Sequence, residues 1–257
     1  MSNVSIAIVT VNLNSGDSLR KTVKSIFDQR CKPDKFIIKD GISEDYPENI
    51  VEEYFINNSL FISKEDCGIY DAMNQAIECV NEDYCMFLNS GDSLLDKDTI
   101  DIIRTIIGKQ SNNAAMTYFD YFDSNGNMVK SPRNMSKFTL FRHVLCHQAC
   151  VYKTEVLKEL NGYSIEYKVC SDVDMLFKIL NKYKIKHYSI PIVIMEKQGF
   201  SNINQNTGIR EMKIIRKKYF TKGEYILYSL IYAFTLPDIR RIISNNKYFM
   251  KYYNTIS

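Results

Sequence analysis

Strand-like and helix-like segments alternate through the first ninety residues of the chain. The strand-like runs are short, apolar and rich in β-branched or aromatic residues, and the segments between them repeat apolar residues at helical spacing. The strand-like runs are VSIAIVTVNL (4 to 13), KFIIKD (35 to 40), LFIS (60 to 63) and YCMFL (84 to 88), and the helices follow Leu19, Val23, Ile26 and Phe27, then ENIVEEYFI, then GIYDAMNQAIECV (68 to 80). This alternation predicts an α/β fold in which helices flank both faces of a mostly parallel sheet.

Each of these predicted strands ends in polar residues. The carboxyl ends of parallel strands share one edge of the sheet, where ligands bind in open α/β folds. The residues at these ends are Asn12 and Asn14, Asp40 and Gly41, Glu65 and Asp66, and the stretch Asn89 to Asp92. The last of these stretches, LNSGDSL at 88 to 94, is also a good tight turn, because Asn, Ser, Gly and Asp all favour turns. The sequence supports both interpretations, a turn and a polar binding edge.

The chain contains no GxGxxG or GxxxxGK loop, which argues against a dinucleotide or ATP site of those kinds. A carboxylate such as Asp92 can instead hold Mg²⁺ or Mn²⁺ whose other ligands are water and substrate phosphate oxygens. We therefore expect a metal-assisted nucleoside diphosphate site at the sheet edge.

The cysteine and histidine content indicates where the chain works. Seven cysteines form no CxxC pair, three histidines lack zinc spacing, and the N-terminus MSNVSIAIVT shows no charged and apolar leader. We expect a reducing cytoplasm and no structural zinc.

Residues 209–257 form a basic and aromatic C-terminal tail. They carry a net charge of +7, against −4 for residues 1–208, and the longest uncharged apolar stretch, 225–236, has 12 residues. A bilayer span requires about 20 residues, so the stretch is too short to cross. We expect a helical extension that lies on an anionic membrane surface, with a helical cap on the catalytic domain or an oligomer contact as alternatives.

Three motifs carry a resemblance to a known family. The segment EDCGIYDAMNQAI followed by FLNSGD, the N-terminal VTVNLNSGDSLRKTVKSIFDQ and the intervening KDGISED resemble the family 2 inverting glycosyltransferases of bacterial polysaccharide synthesis, which have the Rossmann-like GT-A fold. The resemblance spans roughly residues 4–205 and extends to HQA (147 to 149) and SDVDM (171 to 175). It implies transfer of a sugar from a UDP-sugar to an acceptor hydroxyl with inversion, and a domain over 1–208 with a donor half to about 95 and an acceptor half after it.

The resemblance also implies roles for individual residues. It places Asp40 on the uracil and Asp92 on a Mn²⁺ or Mg²⁺ ion that bridges the diphosphate. The remaining donor-side positions are Thr10, Val11 and Asn14 around the base and ribose, Asp71 and Asn74 beside the donor, and Gly91 in the acidic motif. The chain departs from the family pattern where Asn89 and Gly91 replace Asp and where Leu13 replaces a stacking aromatic.

On the acceptor side, the resemblance places His147 and Gln148 against the acceptor. Inverting transfer requires a base opposite the leaving group, and Asp172 is the candidate because it begins the predicted helix marked by Val173, Leu176 and Phe177. A carboxylate there is also stabilised by free helix N–H groups, so a pure capping role is the competing interpretation. The neighbouring Asp174 should face elsewhere.

Two functions follow from these expectations. The first is a metal-dependent hexosyltransferase, for galactose or glucose, that acts on a polyprenyl-diphosphate-linked saccharide in O-antigen, lipopolysaccharide or other surface polysaccharide synthesis, peripheral on the cytoplasmic face of the bacterial membrane. The alternative is a sugar-nucleotide-binding protein of the same fold without catalysis, although the presence of both Asp92 and Asp172 argues against it. Nothing resembles a nucleic-acid recognition module.

Overall fold

The computed structural model describes residues 4–54, 58–109, 114–196 and 204–235. In the first ninety residues, strands and helices alternate as predicted. They are β1 (Ile6–Asn12), α1 (Gly16–Phe27), β2 (Lys35–Asp40), α2 (Glu48–Glu53), β3 (Ser59–Ser63), α3 (Ile69–Glu78) and β4 (Tyr84–Phe87). The end of the predicted ENIVEEYFI helix, residues 55–56, lies outside the described residues.

The second half contains more antiparallel pairing than the alternation indicated. Its elements are β5 (Ser93–Leu94), α4 (Thr99–Gly108), β6 (Met116–Phe122), β7 (Met128–Val129), α5 (Lys137–Arg142), a 3₁₀ turn (His147–Ala149), β8 (Cys150–Lys153), α6 (Thr154–Glu159), α7 (Ser171–Lys182), β9 (Ile185–Ile194), α8 (Gln205–Tyr219) and α9 (Lys222–Thr235).

The strands form one mixed sheet in the described part of the chain, in the order β3-β2-β1-β4-β8-β6-β9-β5, with β7 beside β6. The donor half, β3-β2-β1-β4, is entirely parallel, which confirms the expected shared edge. Strand β8 then runs antiparallel to β4, and β5 runs antiparallel to β9. These two antiparallel pairs carry acceptor-half residues to the donor edge.

The core follows from the apolar periodicity of the sequence. Strand β1 is buried at all seven positions, as expected for a strand covered on both faces. Helix α1 packs through Leu19, Val23 and Ile26, which are completely buried, whereas Phe27 at its end is 40% exposed. The spacing of these residues places the first three on one face of the helix.

The chain divides into two compact units, Met1–Met212 and Lys213–Ser257. The first unit ends four residues beyond the predicted boundary at 208. Of the tail, helix α9 covers most of the apolar stretch 225–236, while residues 236–257 lie outside the described residues. Within the described ranges, no helix has the length and apolar character needed to cross a membrane.

Candidate active site

The stretch Asn89 to Asp92 is both a tight turn and part of the polar edge. The Asp92 N–H donates to the Asn89 carbonyl at 3.0 Å, which closes the turn. Thr22 of α1 holds it from one side, because its hydroxyl donates to the Asp92 carbonyl at 2.7 Å and accepts from the Gly91 N–H at 2.9 Å. Ser90 donates to the Asn12 side chain at 2.8 Å, which ties the turn to the end of β1. The two interpretations of the sequence are therefore compatible.

Position 91 requires a glycine because of its backbone conformation and because Glu196 lies close to it. Its φ is +100°, which side-chain-bearing residues rarely adopt. A Cβ built on it would lie 2.8 Å from Cγ and 2.9 Å from Cβ of Glu196. The aspartate that many members of the resembled family carry here could not fit without a shift of Glu196.

Asp92 is the buried carboxylate of this turn. Its Oδ1 accepts from the Glu196 N–H and its Oδ2 from the Gln148 side-chain amide, both at 2.8 Å. The pairing of Ser93 with Ile194 brings Glu196 to this position. Burial raises the pKa of Asp92, and the two hydrogen bonds oppose that shift only in part. A cation nearby would favour the charged form.

The 3₁₀ turn His147–Ala149 reaches the same place because it precedes β8, whose start lies beside the end of β4. Gln148 is 7% exposed and contacts Asp92. The structure thus gives Gln148, which the sequence placed against the acceptor, a direct contact with the candidate metal ligand.

His147 connects the turn Asn89 to Asp92 to the candidate base. The Asn89 amide nitrogen lies 3.2 Å from Nε2 of the ring. With the Asn89 amide nitrogen as the donor, Nε2 accepts, and a neutral ring then carries its proton on Nδ1. Nδ1 lies 3.6 Å from Oδ2 of Asp172, longer than a hydrogen bond and within ion-pair range. Adjacent residues of one turn therefore contact the two acids that the sequence singled out.

Asp172 lies in the first turn of α7 and is 9% exposed. Its Oδ1 accepts from the Val173 N–H at 2.9 Å and lies 3.1 Å from the Tyr70 hydroxyl, which also has the Val169 carbonyl as an acceptor at 2.7 Å. Burial is the main cause that raises the pKa of Tyr70 well above its usual value, and the negative charge of Asp172 is the second. Tyr70 therefore keeps its hydroxyl proton and can donate it. Asp174 is completely buried and lies 3.4 Å from Lys178, so it faces a different environment from Asp172.

Glu211 supports the segment that leads into α7. Its carboxylate accepts from three backbone N–H groups, of Lys168 at 2.7 Å and of Val169 and Cys170 at 2.9 Å. The position of Asp172 therefore depends on a residue beyond the predicted boundary at 208.

The donor edge is a hydrogen-bonded group at the ends of β1 and β2. Asp40 accepts from the Asn12 amide at 2.9 Å and from the hydroxyl and N–H of Ser43 at 2.6 and 2.8 Å. Asn14 lies beside it, since its N–H donates to Ser43 at 2.8 Å and its side chain accepts from the Glu44 N–H at 2.9 Å. The neighbouring Asp66 pairs with the completely buried Lys39 at 2.8 Å.

Several side chains that were predicted to contact the donor have hydrogen-bond partners within the protein. Thr10 is completely buried, with its hydroxyl on the Leu88 carbonyl, and Val11 is 7% exposed. The Asn74 amide donates to the Tyr163 carbonyl and accepts from the Tyr163 N–H, both at 2.8 Å. Asp71 accepts from the Cys67 N–H at 2.9 Å at the start of α3. The side chains of Thr10 and Asn74 thus have structural partners away from the donor edge.

The chemistry of this edge fits a hard divalent cation shared with a substrate. Within residues 4–54, 58–109, 114–196 and 204–235, no group of three His, Cys, Asp or Glu side chains converges on one point. A hard cation with one carboxylate takes its other ligands from water and substrate phosphates, and Asp92 is the buried carboxylate that can serve. The buried Oδ1 of Asn89 has no hydrogen-bond partner within the described part of the chain, which indicates a ligand-facing acceptor beside it.

Three contributors went unrecognised in the sequence. Tyr70 belongs to an apolar helical stripe, where a packing role is the ordinary explanation. Glu196 and Glu211 carry no local motif and reach the site only through the β5–β9 pair and α8. The motif GIYDAMN is the one local signal that could have identified Tyr70.

The sequence and the fold are similar to those of known glycosyltransferases. The sequence profile of Glycosyl transferase family 2 matches residues 5–160. A PGL/p-HBAD biosynthesis glycosyltransferase of Mycobacterium bovis is 24% identical over 201 residues, which cover 77% of this chain and 78% of the relative.

Two solved structures share the fold. Staphylococcus aureus TarS 1–349 in complex with UDP-GlcNAc aligns with a TM-score of 0.67 at 16% identity, over 89% of this chain and 70% of that one. Glucosyl-3-phosphoglycerate synthase of Mycobacterium tuberculosis, solved with Mn²⁺, UDP and glucosyl-3-phosphoglycerate, aligns with a TM-score of 0.61 at 12% identity, over 86% and 82% of the two chains.

Proposed function

The chain belongs to glycosyl transferase family 2 and is a glycosyltransferase with the GT-A fold, and from this premise we propose that it transfers a hexose from a UDP-sugar with inversion. The observation that carries the proposal is that two neighbouring residues of one turn contact the two acids. His147 lies beside Asp172, and Gln148 donates to Asp92. One acid then serves the acceptor and the other serves the leaving group.

In the proposed reaction, the acceptor hydroxyl attacks the anomeric carbon from the face opposite the diphosphate. Asp172 takes the hydroxyl proton as the new C–O bond forms, and the bond to the diphosphate breaks with its electron pair on the UDP oxygen. His147, whose Nδ1 lies 3.6 Å from Oδ2, and Tyr70, whose hydroxyl lies 3.1 Å from Oδ1, hold the Asp172 carboxylate in position for this transfer. A positioned base of this kind contributes about 10² to 10⁴ in rate.

On the donor side, Asn14 would contact the nucleoside, and Asp92 would hold Mn²⁺ or Mg²⁺. Asp40 is 1% exposed and bonded to Asn12 and Ser43, so it would contact the base once these partners shift. The bound cation supplies charge neutralisation for the leaving diphosphate. Gln148 and the Glu196 N–H hold the Asp92 carboxylate in place, so that its remaining lone pairs can face the ligand. Glucosyl-3-phosphoglycerate synthase, which shares the fold and was solved with Mn²⁺ and UDP, supports this arrangement.

We further propose that the acceptor is a polyprenyl-diphosphate-linked saccharide in surface polysaccharide synthesis and that the enzyme works on the cytoplasmic face of the membrane. The tail supports a surface location, because α9 exposes Ile226, Leu227 and Leu230 to 53–60% beside a basic C-terminal sequence. Apolar side chains with basic neighbours favour an anionic interface.

The test is release of UDP from UDP-glucose and UDP-galactose with Mn²⁺, with and without EDTA. Slow hydrolysis that requires the cation supports the enzyme. Cation-dependent UDP binding without any hydrolysis or transfer would instead support the alternative, a sugar-nucleotide-binding protein.

A further inference from the structure

A long segment of the acceptor half contains no acidic residue. Residues 124–154 include five Lys or Arg side chains and no Asp or Glu, in a chain with 30 acids. The segment belongs to residues 1–208, whose net charge is negative, so its basic character is separate from that of the tail. It runs from the β6–β7 turn through α5 to the 3₁₀ turn that carries His147 and Gln148.

This segment folds around a groove of about 630 Å³. That volume is in the range of pockets that hold small ligands. One wall is the strand β7 and the residues after it, and the other is α5 with the residues that follow. The lining includes Lys130 and Ser131 on the first wall and Phe138, Arg142 and His143 on the second.

The first wall is fixed to the sheet. The Ser131 N–H donates to Asp120 at 2.9 Å and its hydroxyl donates to the Phe119 carbonyl at 2.7 Å. The Tyr118 hydroxyl donates to the Pro132 carbonyl at 2.7 Å. The backbone that carries Lys130 is therefore held at a defined position beside β6.

The second wall is also ordered. Ser136 caps α5 by accepting from the Thr139 N–H at 3.1 Å, and the Arg142 guanidinium lies over the Phe138 ring at 5.8 Å. Stacking on an aromatic ring leaves the edge of a guanidinium able to donate to an anion.

Among the residues that the structure describes, no Asp or Glu lines the groove. The nearest acids in sequence are Asp120, which is buried against His187 at 2.8 Å, and Asp123, which accepts from backbone N–H groups within its own turn. The lining thus includes the basic side chains of Lys130 and Arg142, together with His143. A groove of one sign attracts ligands of the opposite sign.

The groove lies close to the reaction centre along the chain. Only three residues separate His143 from His147, so their Cα atoms are at most about 14 Å apart. A ligand whose sugar is at Asp172 and whose attached group lies in the groove would span a distance of this order.

We propose that this groove binds the phosphate groups of the acceptor, with Lys130 and Arg142 as the anion-binding side chains and Phe138 and Tyr121 against its apolar part. This assignment rests on the proposed function, which provides the acceptor, and adds the position and the chemistry of its anionic group. Arg and Lys both bind phosphate through charge-assisted hydrogen bonds.

The first experiment measures binding of geranyl diphosphate by calorimetry in EDTA, where metal-assisted binding at the donor site is suppressed. The double variant Lys130→Gln/Arg142→Gln removes two charges and keeps similar shapes. Its affinity should fall by at least about tenfold, as expected for lost hydrogen bonds to a charged group. The control Lys97→Gln/Lys109→Gln removes two exposed charges outside the groove and should bind like the parent.

Three results would overturn the proposal. The two double variants could lose affinity equally, UDP could displace geranyl diphosphate competitively, or the groove variant could lose binding to phosphatidylglycerol vesicles while keeping geranyl diphosphate. The second would place the diphosphate in the donor site, and the third would make the groove a membrane contact.

A second readout separates this proposal from the proposed function. Hydrolysis of the UDP-sugar in the absence of acceptor should be the same in the parent and in both double variants, because the groove is apart from Asp92. Hydrolysis that persists while geranyl diphosphate binds equally to all three proteins refutes the groove alone. Absent hydrolysis in the parent refutes the proposed function, whatever the groove binds.

Discussion

Gln148 donates its side-chain amide to the buried carboxylate of Asp92 at 2.8 Å. The residue before it in the chain, His147, faces Asp172 at 3.6 Å. A single turn in front of β8 therefore fixes both the acid proposed for the leaving group and the acid proposed for the acceptor. The histidine–glutamine pair acts in this account on the protein's own acids, in addition to any contact with the acceptor.

The contact between Gln148 and Asp92 predicts a pH effect. Gln148→Met keeps the side-chain length but removes a hydrogen bond that lowers the pKa of Asp92. That pKa, already raised by burial, should rise further, so the acid limb of the kcat/KM profile should move to higher pH. Gln29→Met, which alters a glutamine bonded to Ser25 and Asp96 away from the site, is the control. An acid limb at the same pH in Gln148→Met and parent would show that Gln148 does not tune Asp92.

The raised pKa of Asp92 also predicts a dependence on cation concentration. As pH falls through this pKa, the carboxylate is protonated and cation-assisted donor binding is lost. Because a cation favours the charged form, saturating Mn²⁺ should shift the acid limb of activity to lower pH than limiting Mn²⁺ does. Rate profiles at two Mn²⁺ concentrations test this. A limb that is independent of Mn²⁺ would assign it to another group.

Removal of the Asp92 carboxylate should abolish the cation effect. Asp92→Ala should reduce transfer by at least about a hundredfold, since a cation on the leaving group contributes several kcal/mol. Calorimetry should show that Mn²⁺ no longer strengthens UDP binding. Asp101→Ala, at an exposed position of α4, provides the comparison and should keep the cation effect. Unchanged Mn²⁺ dependence in Asp92→Ala would contradict the assignment.

The fit of Gly91 against Glu196 can be measured by urea unfolding. Gly91→Ala meets both a positive φ and a Cβ contact of 2.8 Å, whereas Gly126→Ala meets a φ of +80° with nothing within 4 Å. The control should cost about 1–2 kcal/mol, the backbone term alone. Gly91→Ala should cost more. Adding Glu196→Ala in the same chain removes the Cγ at 2.8 Å but leaves the Cβ at 2.9 Å, so it should recover only part of the difference. Equal costs for the two glycine variants would contradict a tight contact here.

The tail can be removed at two positions with different expected results. Truncation after Met212 keeps Glu211 but removes the buried Ile215 and Phe220, and it should release the protein from anionic liposomes. Truncation after Gly208 removes the carboxylate that accepts from three N–H groups before α7, and should lower the melting temperature. Glu211→Gln in the full chain tests that contact alone. Sedimentation of the Met212 truncation with liposomes would exclude the tail as the anchor.

Periodicity and strand-end polarity predicted the donor half well. Strand β2 begins and ends at the predicted residues 35 and 40, and Asp40 and the turn after β4 lie on one edge as expected. These features depend on local sequence, since parallel strands separated by helices leave few arrangements for their ends.

The acceptor half was harder because its important contacts join distant residues. Glu196 reaches Asp92 across 104 positions, and Gln148 reaches it across 56. Such pairs depend on the antiparallel registers of β5 with β9 and β4 with β8, which no local pattern encodes. Thr10 and Asn74 show the opposite problem, because a polar residue near a strand or helix end is as readily used inside the protein as on a ligand.

The central claim is that Asp172 takes the acceptor proton, and the direct measurement is the transfer rate of Asp172→Asn beside Asp101→Asn. Both changes replace a carboxylate in the first turn of a helix with an amide of similar shape. Neither residue is the N-cap of its helix, since Cys170 and Asp98 hold those positions. Asp174→Asn is a poorer control because Asp174 is completely buried. Asp172→Asn should keep its UDP affinity and melting temperature and lose transfer by at least about a hundredfold, whereas Asp101→Asn should transfer like the parent. Transfer by Asp172→Asn within a fewfold of the parent rate would contradict this mechanism.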